Sequence, residues 1–281
     1  IAGLEAPGSD SWIGRYEEAR SSLDLGRYPA SVRPRSPVSW ASTACVVARI
    51  DALGGGFDVA MRVGEDVDLG WRLVDGGWRI RYEPAARARH EHRTRFLDWF
   101  QRKAVYGTGA SPLADRHPAD IAPAVLAPWS AGLLVALLAQ RRWSLPVALG
   151  ITGVTAVRIS RRLQGIRHPL LWGAWIAGNG AVGAVMQGSA LLLRHWWPLA
   201  AVGAVLSRRV RRAAAVAAVV DVAVEYRRTS ARIDPVRFGI ARRLDDIAYG
   251  AGVWFAALRA RSIASLRPAI VTSGAEEHER G

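Results

Sequence analysis

Three short groups of residues carry the chemical possibilities of this chain. Gly54-Gly55-Gly56-Phe57-Asp58 is followed by Gly64-Glu65-Asp66-Val67-Asp68-Leu69-Gly70-Trp71-Arg72-Leu73, and then by His90-Glu91-His92. A glycine turn lets the backbone approach a ligand closely. A carboxylate at a helix start is held by free backbone N–H groups and stays ionised. One such carboxylate within reach of a hydroxyl is a general base. Histidine on a neighbouring strand can ligate a divalent cation beside a diphosphate. Taken singly, each group has a plainer reading. Glu65 and Asp66 cap a helix, Asp68 and Arg72 form a surface ion pair at i,i+4 spacing, and His90 and His92 are strand residues at an exposed end. Order and spacing together carry the chemical reading.

The elements that must position these groups follow from periodicity. Gly54–Gly56 is a turn or loop. Asp66–Asp75 predicts a short helix with Val67, Trp71 and Val74 on one stripe, stopped by Gly76 and Gly77. Trp78, Ile80 and Tyr82 then alternate with Arg79 and Arg81 as a half-buried strand. Pro84 is expected to break that strand. Alternation resumes over Ala86–His92, with Ala88, His90 and His92 on one face. Upstream, Trp12, Tyr16, Ala19 and Leu23 stand at helical spacing. After the loop Arg33–Pro37, the small apolar run Val38–Val47 suits a buried strand. Downstream, Phe96, Trp99, Phe100, Arg102, Lys103 and Tyr106 make a basic aromatic helix. It either lies on a membrane surface or packs against the sheet.

Charge distribution narrows the class. Half of the 281 residues are hydrophobic, yet the formal net charge is +14, and Lys103 is the only lysine. Nucleic-acid binders are often this basic, and so are membrane proteins with arginine-loaded cytoplasmic loops. Here the arginines punctuate apolar stretches at about Ala122–Ala139, Trp143–Val157, Pro169–Leu193 and Trp196–Leu206. They do not form the continuous basic face with exposed aromatics that a nucleic acid requires. A spanning helix needs roughly 20 apolar residues; the third stretch has that length and the first nearly so. Residues 119–224 are therefore expected to be a hydrophobic, helical, membrane-associated region. The preceding part, 1–118, reads as soluble α/β structure on the cytoplasmic side of the cell membrane, although Arg141 and Arg142 would then face outward against the rule. Residues 225–281 read as a basic amphipathic tail with a disordered acidic end. The lone Cys45 permits no internal disulfide and sits in apolar surroundings, which predicts a buried thiol.

Gly55-Gly56-Phe57-Asp58, Glu65-Asp66-Val67-Asp68-Leu69 with Arg72, Gly77-Trp78-Arg79, Tyr82-Glu83-Pro84 and His90 resemble, in that order, the family-2 glycosyltransferases of the GT-A fold. The match runs from Trp40 to His92. It implies that residues 1–118 are the C-terminal, acceptor-side half of a GT-A α/β domain. It also implies that Asp66 deprotonates an acceptor hydroxyl as this attacks the anomeric carbon of a nucleotide sugar, with inversion. Gly55, Gly56 and Glu65 would contribute to substrate binding, Asp68 and Arg72 would order the acceptor site, and Trp40 would pack against a sugar. His90, or else His92, would ligate Mg or Mn beside the diphosphate. Finer likeness lies in Gly3-Leu4-Glu5-Ala6-Pro7-Gly8, Arg15–Gly26, Tyr106-Gly107-Thr108-Gly109-Ala110, His90-Glu91-His92-Arg93 and Arg243–Gly250. These resemble the mycofactocin-system members of the family, found in actinobacteria. That branch implies glucose transfer from UDP-glucose to a peptide-derived redox cofactor. A lipid-linked or polysaccharide acceptor is the alternative.

One departure stands out. The family's nucleotide-binding parallel sheet and D-x-D motif do not precede these residues. The remaining nearby pair, Asp245/Asp246, reads as a solvated or capping pair. With Ile1 in place of Met and no signal-peptide pattern at the start, the chain is expected to be a piece of a longer enzyme, inactive alone. The reading from a different class is a basic, non-catalytic membrane protein.

Overall fold

The computed structural model describes residues 2–5, 11–21, 23–89, 93–163, 165–229 and 232–271. In chain order the elements are β1 (Ala2–Glu5), α1 (Trp12–Arg20), β2 (Ala30–Val32), α2 (Ile50–Leu53), α3 (Glu65–Asp75), β3 (Ile80–Arg89), α4 (Phe96–Thr108) and α5 (Ala110–Arg116). They continue with β4 (Val125–Leu126), α6 (Pro128–Leu138), α7 (Ser144–Arg162), α8 (Pro169–Ala190), a π-helical turn at Leu191–His195, α9 (Trp197–Leu206), α10 (Arg208–Arg228), α11 (Pro235–Ala260) and β5 (Ala269–Ile270). The architecture is mixed α/β and mostly helical. Two units divide the chain, Ile1–Ile121 with Val222–Leu266, and Ala122–Asp221 with Arg267–Gly281. Residues 225–266, read from the sequence as part of a tail, fall within the first unit.

In the first unit a three-stranded sheet runs in the order β1-β3-β2, with β1 parallel and β2 antiparallel to β3. Contrary to expectation, Pro84 does not break β3. Pairing with β2 covers Ile80–Tyr82 only, and the β1 register jumps from Glu83 to Arg87. The amide that proline lacks therefore falls in a bulge, where no ladder bond is required of it. The expected strand over Val38–Val47 is also absent. Val38 and Ala41 are buried, but Val46 and Val47 are exposed, and among the described residues the run pairs with no strand. Small apolar residues favour a strand only where a neighbour takes up their backbone groups. Cys45, on this irregular stretch, is half-buried instead of buried.

The core of this unit gathers Ile13, Tyr16, Trp99, Ile233, Phe238 and Ala241. Tyr16 meets Trp99 edge to face, with centroids 5.9 Å apart and planes at 87°. Burying each such aromatic contributes about 2–3 kcal/mol. Helix α4 packs chiefly against α11, where the packing reading of the basic aromatic helix named the sheet. Trp99 and Lys103 are buried, and the Lys103 Nζ lies 2.8 Å from Glu17 Oε1 and 3.7 Å from Asp245 Oδ2. Tyr16 donates to Asp245 at 2.9 Å, and the Trp99 indole donates to Glu17 at 2.8 Å. Asp245 and Asp246 are buried, so the solvated pair expected from sequence is instead an internal charge set. Helices α4 and α11 touch backbone to backbone. A Cβ at Gly107 would overlap the Tyr249 carbonyl oxygen, and one at Gly252 would overlap the carbonyl of Ala104.

The second unit is built from α6 to α9, the first part of α10, and the short parallel pair β4–β5. Its buried cluster is Ala124, Leu126, Ala184 and Leu191. A Cβ at Gly173 would lie 2.5 Å from the Ala156 carbonyl oxygen, so α7 and α8 also cross closely. The four apolar stretches correspond to α6, α7, α8 and α9. Among the described residues only Pro169–His195 is long and apolar enough to cross a membrane, with a mean hydropathy of 1.3.

Candidate active site

Helix α3 begins at Gly64, whose φ of +83° is open to glycine at little cost. A Cβ there would also lie 2.8 Å from Leu113 Cδ1, so α5 seats directly on the helix start. Glu65, Asp66 and Asp68 fill the first turn, where unsatisfied N–H groups favour negative charge. At the other end Trp78 N donates to Leu73 O at 2.9 Å and Gly77 N to Val74 O at 3.0 Å, a Schellman closure. The helix ends where the sequence pattern sets it and starts at Glu65, one residue earlier than expected.

Asp68 is the most constrained of these acids. Its side chain is fully covered. Its Oδ2 accepts from Arg72 Nε at 2.8 Å and from Arg116 Nη2 at 3.3 Å. Its Oδ1 accepts from Arg116 Nε at 2.6 Å and lies 2.9 Å from His117 Nε2. Burial pushes the Asp68 carboxyl up, but hydrogen bonds from Arg116, His117 and Arg72 outweigh it and hold the group down at about 2. Arg72 Nη2 donates onward to the Gly56 carbonyl at 2.7 Å, and Arg116 Nη1 reaches Asp58 Oδ2 at 2.8 Å. The glycine turn and α3 are thereby tied together. The His117 ring stands edge-on to Trp71 at 5.2 Å, and the Trp71 indole donates to the Ser39 carbonyl at 2.6 Å.

Asp66 is different in kind. It is half-buried, and its Oδ1 accepts from Val67 N at 2.8 Å. Burial raises its carboxyl above the ordinary range, the Val67 N–H opposes that, and neighbouring Glu65 adds to it. Among the described residues no cation is ion-paired to Asp66 or Glu65. A partly desolvated carboxylate with no fixed counter-charge is a better proton acceptor than Asp68, whose lone pairs are taken.

The structure brings Gly56, Asp68 and Arg72 into one constellation, with Glu65 and Asp66 on the same helical turn. Gly55 is exposed at the turn, and Trp40 is half-buried beside Ser39. His90 and His92 lie outside the described residues. Among the described residues no three His, Cys, Asp or Glu side chains converge as metal ligands. Sequence reasoning missed Arg116 and His117. They lie 48 and 49 residues from Asp68, and their only local signal is a basic pair closing a short helix before Pro118.

The α3 motif, its cluster of acids and the glycine turn are the residues on which the family resemblance rests. The chain belongs to the glycosyl transferase family group 2, whose model matches residues 5–220. It is 43% identical over 275 residues to the pre-mycofactocin glycosyltransferase of Mycobacterium tuberculosis, in strains CDC 1551 / Oshkosh and ATCC 25618 / H37Rv alike. That alignment covers 92% of this chain and 57% of the relative, so the chain spans little more than half its relatives' length. It is also 34% identical over 131 residues to the N-acetylglucosaminyl-diphospho-decaprenol L-rhamnosyltransferase of M. tuberculosis, covering 45% of this chain and 38% of that protein. No solved structure matches the chain.

Proposed function

We propose that the protein carrying this chain is an inverting glycosyltransferase that transfers a sugar from a nucleotide sugar, glucose from UDP-glucose, to a hydroxyl of pre-mycofactocin. The observation that carries this reading is the 43% identity across 92% of the chain with the pre-mycofactocin glycosyltransferase. Residues 1–118 would supply the acceptor side of a GT-A domain, and the nucleotide-binding half would come from outside this chain. Asp66 accepts the proton of the attacking hydroxyl. The acceptor oxygen forms the new bond at the anomeric carbon as the bond to the nucleoside diphosphate breaks. Glu65, Gly55 and Gly56 line the site, Asp68 and Arg72 order it, and Trp40 offers an aromatic face to a sugar. The family resemblance implies Mg or Mn beside the diphosphate, with His90 or else His92 as a protein ligand.

We also assign the protein to the cell membrane, with the catalytic part on the cytoplasmic side. In support, Leu170, Leu171, Trp172 and Trp175 on α8 are exposed, as are Leu199, Val202, Val205 and Leu206 on α9. Arg208, Arg209, Arg211 and Arg212 follow immediately.

The test is transfer by the full-length protein, with UDP-glucose and pre-mycofactocin, read as a hexose mass increment on the peptide-derived product. Asp66→Asn is expected to abolish transfer while leaving UDP-sugar binding intact. Retained turnover refutes Asp66 as the base. A hexose appearing on a polyprenyl-linked acceptor instead would move the protein to the lipid-linked branch.

A further inference from the structure

The turn around Asp68 is saturated with donors, and most of them come from a segment with no place in the motif. Asp68 receives Arg72 and Arg116 on one oxygen, and Arg116 and His117 on the other. A carboxylate presents about four lone-pair sites, and here all are occupied. Asp68 can therefore neither take a proton from an acceptor nor rotate. Arg116 then spends its remaining nitrogen on Asp58, next to the glycine turn. One planar guanidinium holds both oxygens of Asp68 and one of Asp58 at once, in a fixed fork that a compact ammonium does not reproduce. His117 closes the far side, edge-on to Trp71, whose indole N–H holds the Ser39 carbonyl beside Trp40. Three segments thus converge on the end of α5: the loop at Ser39–Trp40, the turn at Gly56–Asp58, and the first turn of α3.

The formal charges in this set cancel: Asp58 and Asp68 against Arg72 and Arg116. Asp66 lies two residues from Asp68 on the same helical turn, and its orientation follows from how that turn is held.

We propose that Arg116 and His117 are positioning residues for glycosyl transfer. They act through Asp68 to hold the start of α3, and with it Asp66, in fixed register with the glycine turn and the Trp40 loop. This rests on the reading of Asp66 as the acceptor's base. Misplacing a reacting group by about 1 Å costs on the order of 100-fold in rate, so Arg116→Ala should lower kcat by about that factor while the KM for UDP-sugar changes by less than about threefold.

The experiment uses the full-length protein and compares Arg116→Ala, Arg116→Lys, His117→Leu, His117→Gln and Asp66→Asn. Turnover is expressed per folded molecule, with Tm recorded for each. Arg116→Lys is expected to stay impaired, because it keeps the charge and loses the fork. Millimolar guanidinium is expected to restore part of the turnover of Arg116→Ala, and sodium chloride at equal ionic strength to restore none. His117→Gln, which keeps a donor near the Nε2 position, is expected to recover turnover that His117→Leu loses. A merely structural staple gives the opposite pattern: lowered Tm, wild-type kcat per folded molecule and no guanidinium effect. That result overturns the proposal. Should Arg116→Ala fail to fold, Arg116→Lys and His117→Leu carry the same comparison. Turnover by Asp66→Asn would defeat the underlying base assignment. A dead Asp66→Asn beside wild-type kcat in the Arg116 and His117 variants would defeat the positioning role alone.

Discussion

Replacing Gly107 with alanine sets two known effects of opposite sign against each other. Within a helix, Gly→Ala is favourable by about 1 kcal/mol, because alanine restricts the unfolded backbone. At Gly107 the new methyl would overlap the Tyr249 carbonyl oxygen and lie 2.9 Å from Val253 N. Carbon and carbonyl oxygen rest at about 3.3–3.6 Å, so α4 and α11 must part by roughly 1.5 Å along their crossing. The obstruction is backbone, which has no rotamer to yield. Overpacking of this kind costs about 3 kcal/mol, the upper end of the usual range. The crossing therefore wins, and the net expectation is a loss of about 2 kcal/mol. The assay is thermal unfolding of the full-length protein, with hydrogen exchange followed on peptides from α4 and α11. A fall in Tm of about 4–8 °C is expected, with faster exchange on both helices. Gly239→Ala on α11 is the control. Its Cβ would meet nothing closer than Val222 Cγ1 at 3.4 Å, so its Tm should hold or rise. Gly107→Ala matching or exceeding wild-type stability would refute the close crossing.

Burial raises the Asp66 carboxyl, and a base works only when ionised. The acid limb of the kcat profile should accordingly lie above the ordinary carboxylate range, with activity lost as pH falls through it, and initial rates across pH in the full-length protein check this. Asp68 has the opposite shift, down to about 2 from 3.8. Its stabilisation is in force above the unfolded value and is lost as pH falls from about 4 towards 2. Its partners' side chains are 35% and 38% exposed, so screening leaves about 1–2 kcal/mol, and acid titration of urea stability should show this part vanish in Asp68→Asn. Lys103→Met should cost about 3 kcal/mol by leaving Glu17 buried without its cation. Adding Glu17→Gln should recover most of that loss in urea unfolding, and failure to recover it would deny the pairing.

Much of the site was legible because its signals are local. Helix α3 follows to within one residue from the Val67, Trp71 and Val74 stripe and the stop at Gly76-Gly77, all within the reach of one helix. The Asp68–Arg72 bond follows from i,i+4 spacing. Elements defined by distant partners were not legible. The strand over Val38–Val47 has the right residues and no neighbour, whereas Ala30–Val32 has a neighbour in β3 and a weaker pattern. Pro84 reads as a terminator until the register jump in β1 shows that its missing amide is not needed there. Asp245 and Asp246 look solvated because their burial depends on Tyr16, which lies 229 residues away from Asp245. Arg116 and His117 escaped notice for the same reason: no window of sequence contains both them and Asp68.

The first unit is assembled from two stretches of chain, Ile1–Ile121 and Val222–Leu266, with the apolar helices lying between them in sequence. On the ribosome this order has a kinetic meaning. Tyr16 and Trp99 emerge early, but Ile233, Phe238 and Ala241, which cover them, come only after the entire apolar segment has been made. At about 10 residues per second, the half-built core waits on the order of 10 s with its aromatics and Glu17 uncovered. A nascent chain stalled before α11 should therefore bind holdase chaperones and be sensitive to protease. Release of both should coincide with the emergence of α11, so closure of the first unit reports that the apolar segment before it has already been made.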